Sequence, residues 1–82
     1  MPVISRFYGI TIKMYFREHG VPHFHAEYGE YNGVFSIETL KLIEGKLPRR
    51  AEGLVRDWAS QNREELLVLW ETQSFKQLPG LE

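Results

Sequence analysis

The chain has 82 residues, 43% hydrophobic and 26% charged, with ten basic residues against eleven acidic ones and a formal net charge of -1. That length predicts one core and a single domain over 1–82, and the charge balance excludes a polyanion binder driven by overall charge while leaving room for a local basic face. With no cysteine, disulfides and thiolate metal sites are excluded, which fits an intracellular protein.

Val3 to Phe7, broken off by Gly9, reads as a short opening strand. From Ile10 to Arg17 the residues alternate, with Ile10, Ile12, Met14 and Phe16 on one side and Thr11, Lys13, Tyr15 and Arg17 on the other. That period predicts a half-buried strand. A Gly- and Pro-punctuated loop, Glu18 to Pro22, leads into a second alternating run in which Phe24, Ala26 and Tyr28 oppose His23, His25 and Glu27. With the loop centred on Gly20, the hairpin register pairs Arg17 with His23, Phe16 with Phe24, Tyr15 with His25, Met14 with Ala26, Lys13 with Glu27 and Ile12 with Tyr28. A one-residue slip would turn every apolar side chain to the wrong face.

Gly29-Glu30 suits a tight turn into a strand over Tyr31 to Ile37, and Leu40 to Ile43 adds another before Gly45. The strands thus occupy about 3–46. Ala51, Leu54, Val55, Trp58 and Ala59 then fall at the spacing of an amphipathic helix over about 48–60, with Pro48 at its start. Asn62 and Glu65 resemble a capping box opening a second helix over about 62–75, whose buried stripe is Leu66, Leu69 and Trp70. Residues 76–82 read as a loose tail. The expected architecture is α+β, an antiparallel sheet of four to five short strands with two C-terminal helices packed on one face.

Met1 to Arg6 lack the pattern of a secretory signal, and the longest apolar run, Leu66 to Trp70, is far short of the ~20 residues that a membrane helix needs. The expected setting is the cytoplasm, with no membrane contact.

All three histidines fall within His19 to His25, and the wet face of the sheet is expected to gather Lys13, Tyr15, Arg17, His23, His25 and Glu27. Three readings follow. In the first, His23 and His25, with Cα atoms ~6.6 Å apart on one strand face, bind a divalent metal. Glu27, ~13 Å from His23 along an ideal strand, fits poorly as a third ligand, whereas His19 from the loop is the better one. In the second, one histidine is base and the other acid in phosphodiester cleavage, with Arg17 or Lys13 neutralising charge on phosphorus and no cofactor required. Free imidazole, with a pKa of ~6.5, suits both roles. In the third, the face is simply the solvated or partner-covered side of a sheet.

Arg49 and Arg50 stand at the predicted start of the first helix, where the dipole disfavours cations. They are either phosphate holders or surface partners of Glu52 or Glu44. Trp58 and Trp70 are read as core, while Leu67, Val68 or Phe75 could face a partner.

The stretch "MPVISRFYGITIKMYFREHGVPHFHAEYGEY", followed by "LPRRAEGLVRDWASQNREELLVLW", resembles the small bacterial family called domain of unknown function 4160 across nearly the whole chain. "HGVPHFHAEYGEY" is its most specific part; Val21-Pro22 stands where the family prefers Pro-Pro. The resemblance implies a toxin-like component of a toxin–antitoxin module, with a small antitoxin-like protein as cognate partner.

The combined expectation is a ribonuclease-like hydrolase acting on RNA, with His23, His25, Arg17 and Tyr15 as catalytic candidates and Lys13, Arg49 and Arg50 as phosphate-binding candidates. Two alternatives stand beside it. One is a non-catalytic adaptor or transcription-regulating partner of an adjacent small protein. The other is a metal-binding enzyme using His19, His23 and His25. Self-association into a homodimer is left open.

Overall fold

A computed structural model of the chain describes residues 3–15, 19–74 and 76–81. Five strands come first, β1 (Val3–Phe7), β2 (Ile10–Lys13), β3 (His23–Tyr28), β4 (Tyr31–Ser36) and β5 (Leu42–Lys46), followed by the helices α1 (Arg49–Gln61) and α2 (Arg63–Thr72). The strands form one antiparallel sheet in sequence order. This is the α+β arrangement expected from the pattern. Two-residue turns close the first and third hairpins. Tyr8 and Gly9 both have positive φ, as a type I′ turn requires, and Gly29 supplies the positive φ between Tyr28 and Tyr31.

The alternation assigns the faces correctly but not the partners. β2 pairs with β3 as Ile10 with Tyr28, Thr11 with Glu27, Ile12 with Ala26 and Lys13 with His25. The observed register is shifted by two residues from the expected one, and a shift of two preserves the faces because side chains repeat with period 2. β2 ends at Lys13 rather than Arg17, so Met14 and Tyr15 continue outside the ladder. The expected pairs that involve Phe16 and Arg17 lie outside the described residues.

Ile10, Ile12, Phe24, Ala26 and Phe35 point to the covered face and are nearly or fully buried, joined there by Ala51, Val55, Trp58, Leu66 and Leu69 of the helices. Phe24 stacks on Phe35 across the β3–β4 pair with centroids 5.4 Å apart, and Trp58 meets Phe7 at 5.5 Å and Phe24 at 5.9 Å. Burying an aromatic ring of this kind contributes several kcal/mol, so Trp58 is the keystone between α1 and the sheet; its removal costs about 3–5 kcal/mol.

Asn62 links the helices without forming the capping box. Its backbone carbonyl accepts from Leu66 N–H, but its side chain turns back and donates to the Trp58 carbonyl at 2.9 Å. Arg63 fixes the start of α2 by donating from Nε to the Ile37 carbonyl (3.1 Å) and from Nη2 to the Glu38 carbonyl (2.8 Å). Ile37 N–H in turn donates to the Pro22 carbonyl at 2.9 Å, just before β3. These bonds tie α2 to the end of the sheet where the histidines stand.

The segment after α2 was expected to be loose from residue 76 on, yet it is attached to the body. Leu78 is buried and donates from its N–H to Ile4 of β1 at 2.7 Å, and Trp58 Nε1 donates to the Pro79 carbonyl at 2.8 Å. Leu81 packs against the core. The tail follows the edge strand β1, where unpaired backbone groups are open to a partner.

Candidate functional site: a histidine row on the open sheet face

His23, His25 and Glu27 alternate with buried Phe24 and Ala26, so the three polar side chains share the open face, each half-buried. His25 has Lys13 opposite on β2 and Val34 opposite on β4; His23 faces Ser36. The two imidazole rings lie 5.4 Å apart at 69°. Beyond them, Tyr15 meets His25 edge-on at 4.6 Å, and Trp70 of α2 lies against His23 at 4.8 Å. Four rings therefore form a continuous row, Trp70, His23, His25 and Tyr15.

His23 Nδ1 is 2.8 Å from the Val21 carbonyl oxygen. A carbonyl only accepts, so Nδ1 carries the proton, and in the neutral ring Nε2 keeps the lone pair. Lys13 Nζ reaches both carboxylate oxygens of Glu27, at 3.0 and 3.1 Å, and its side chain is only 15% exposed. This contact runs diagonally, because Thr11 rather than Lys13 is the direct partner of Glu27. The face thus combines two imidazoles, a phenol and a carboxylate-held ammonium, groups able to transfer protons and to meet an anion.

The structure brings together His23, His25, Tyr15 and Lys13 from the expected set. Arg17 lies outside the described residues. Arg49 and Arg50 do not join the row, since both belong to the start of α1, and Arg50 lines a cleft near Tyr28, at the opposite end of β3 from His23. Nor does Glu52 pair with either arginine; it pairs with Arg56 at 2.9 Å across one helical turn. Among the described residues no three His, Asp or Glu side chains cluster as a metal set, so His19 does not complete a site with His23 and His25.

Trp70 packs against the core, as its place on the stripe suggested, and its contact with His23 is the part that the sequence did not show. The signal for that contact was its place at the margin of the apolar stripe of α2, one residue past buried Leu69 and one before exposed Glu71. No helix is long and apolar enough to cross a membrane among the described residues.

Residues 9–71 match the family described as domain of unknown function (DUF4160). No curated protein and no solved structure matches the chain. The matched span contains Lys13, Tyr15, both row histidines and Trp70, and on this match the chain belongs to the DUF4160 family.

Proposed function

We propose that the protein is a toxin-like component of a toxin–antitoxin pair and that it cleaves RNA without metal through His23 and His25. The observation that supports this reading is the placement of the two imidazoles 5.4 Å apart on an open face, with Lys13 opposite His25. His23 is the base in this reading, with its Nδ1 proton held by the Val21 carbonyl. It takes the proton of the ribose 2′-hydroxyl as that oxygen bonds to phosphorus. The P–O5′ bond breaks, and His25, in its protonated form, gives its proton to the leaving oxygen. The products are a 2′,3′-cyclic phosphate and a 5′-hydroxyl, and solvent exchange restores both rings. Lys13, released in part from Glu27, meets the charge that builds on the phosphoryl oxygens. Tyr15 and Trp70 hold the imidazoles between them.

In this reading the cognate small protein covers the histidine row, with acidic side chains in place of phosphate. Production of the protein in cells is expected to arrest growth, and production of the His23→Ala/His25→Ala double variant, once shown to be folded by near-UV circular dichroism, is expected not to. Full toxicity of that folded variant would refute the assignment. A second reading, a non-catalytic regulator of a neighbouring protein, is favoured by the exposed apolar residues Val68 on α2 and Ile43 on the edge strand β5. Its mark is a tight complex with no RNA turnover.

A further inference from the structure

At the far end of β3 from His23, roughly 16 Å along the strand, a cleft of about 760 Å³ opens between the hairpin turns and α1. Its lining includes Tyr8, Tyr28, Arg50, Leu54, Asp57 and Leu81. That volume lies within the range of small-molecule sites.

Two departures from local preference meet in this cleft. Tyr8 occupies the first central position of a type I′ turn with φ 49°, where Asn, Asp or Gly is the usual residue. A bulky side chain in the left-handed region is strained, and such strain clusters at ligand sites. Tyr8 is nevertheless 60% exposed, so burial does not account for it. Gly9 beside it has φ 80°, which favours glycine, and the Tyr28 ring lies over the turn at ordinary contact distance, 3.4 Å from where a Cβ of residue 9 would stand. The second departure is Arg50, a cation in the first turn of α1, where the helix dipole is unfavourable to it. Asp57, seven residues on, is on the same side of the helix and lines the same cleft. Among the described residues neither Arg50 nor Asp57 forms an ion pair.

Two aromatic faces, a guanidinium and a carboxylate around one concavity are complementary to a ligand that joins a planar heteroaromatic ring to a phosphate. We infer that this cleft is a nucleotide-binding site, with the base stacked on Tyr28 and Tyr8, the phosphate on Arg50, and Asp57 accepting from the base amino or ribose hydroxyl groups. It is separate from the histidine row, and the inference does not depend on RNA cleavage there. The ligand is a free nucleoside monophosphate or the terminal nucleotide of an RNA, which offer the same chemistry.

Calorimetric titration of the whole chain with adenosine 5′-monophosphate, adenosine, inorganic phosphate and a 3′-phosphorylated tetranucleotide tests the inference. The monophosphate is expected to bind saturably, at least roughly tenfold more tightly than adenosine or phosphate alone, and Arg50→Gln is expected to bring it to the level of adenosine. Tyr8→Asn gives the test a readout that a structural role would not produce: it relieves the turn, so thermal stability holds or rises, while affinity falls roughly tenfold. Binding is retained in His23→Ala/His25→Ala. Titrated into the His23→Ala/His25→Ala protein, which lacks the histidine row, a tetranucleotide that binds more tightly than the monophosphate and loses that affinity with Arg50→Gln identifies an RNA end as the source; one that is excluded identifies the free nucleotide. Absence of monophosphate binding at millimolar concentration overturns the inference, as does affinity unchanged in both Arg50→Gln and Tyr8→Asn, or affinity lost only with the histidines.

Discussion

Trp70 lies against His23 with ring centroids 4.8 Å apart and planes tilted by 54°. Helix α2, otherwise a cover for the core through Leu66 and Leu69, thus extends one side chain to the open face. A ring packed on one side restricts the rotamers of His23, and the Nδ1 bond to Val21 restricts them further. Trp70→Leu removes the wall but keeps apolar volume on the helix. Its expected effect is a loss of roughly tenfold or more in RNA cleavage rate, from misplacement of the base, with a stability loss on the order of 1–3 kcal/mol. Trp70→Phe restores most of the rate. Rates measured beside urea unfolding curves separate the two effects; an unchanged rate in a folded Trp70→Leu variant would remove Trp70 from the site.

Lys13 and Glu27 separate charge from structure on the same face. Lys13→Met removes the cation proposed to meet the phosphoryl oxygens and leaves Glu27 without its partner, so on the proposed function cleavage should fall by about a hundredfold and stability by about 1 kcal/mol. Glu27→Gln also weakens the pair yet leaves the ammonium in place. Its cleavage rate is expected to stay within a few-fold of the parent. Equal losses in the two variants would mean that the ion pair acts only as a strut.

Gly45 in β5 has φ 80°, and a Cβ there would collide with the Asn32 carbonyl of β4 and stand 3.1 Å from Gly33 Cα. Because the neighbours are backbone atoms of a paired strand, they cannot move aside. Gly45→Ala is expected to cost at least about 2 kcal/mol and to lower Tm on the order of 10 °C. Gly53→Ala should move stability the other way, by about +0.5–1 kcal/mol, since nothing lies within 4 Å of the added methyl and it stands within α1. Differential scanning calorimetry of the pair checks both signs.

Deleting residues 78–82 removes buried Leu78 and takes away the acceptor of Trp58 Nε1. The lost burial amounts to about 1.5–3 kcal/mol, and an orphaned buried donor adds about 1–3 kcal/mol. The truncated chain should therefore unfold at clearly lower denaturant concentration, whereas a tail with no structural part would leave the midpoint unchanged.

Periodicity carried most of the fold. The switch from period 2 to the helical spacing near Pro48 marks the end of the sheet, and the alternation of β3 puts both histidines on the open face. The register was not legible because two registers differing by two residues satisfy the same alternation, and only the length of the loop between β2 and β3 decides between them. The wall at Trp70 escaped for a similar reason: a residue at the margin of an apolar stripe faces core or groove according to how the helix docks. That docking rests on Arg63 and the carbonyls of Ile37 and Glu38, which are 25 or more residues away in the chain. Tyr8-Gly9 did carry a local signal for the cleft, an aromatic residue where a turn prefers Asn, but the meeting of Tyr8 with Arg50 depends on tertiary packing.

The measurement that bears most directly on the histidine row is product analysis of a defined RNA incubated with the purified protein in excess EDTA. The expected result is strands ending in a 2′,3′-cyclic phosphate with complementary 5′-hydroxyl ends, and a fall in rate of about 10²-fold or more in His23→Ala and in His25→Ala. Uncut RNA, cutting that requires added divalent metal, or undiminished cutting by the double variant would contradict catalysis by these two imidazoles.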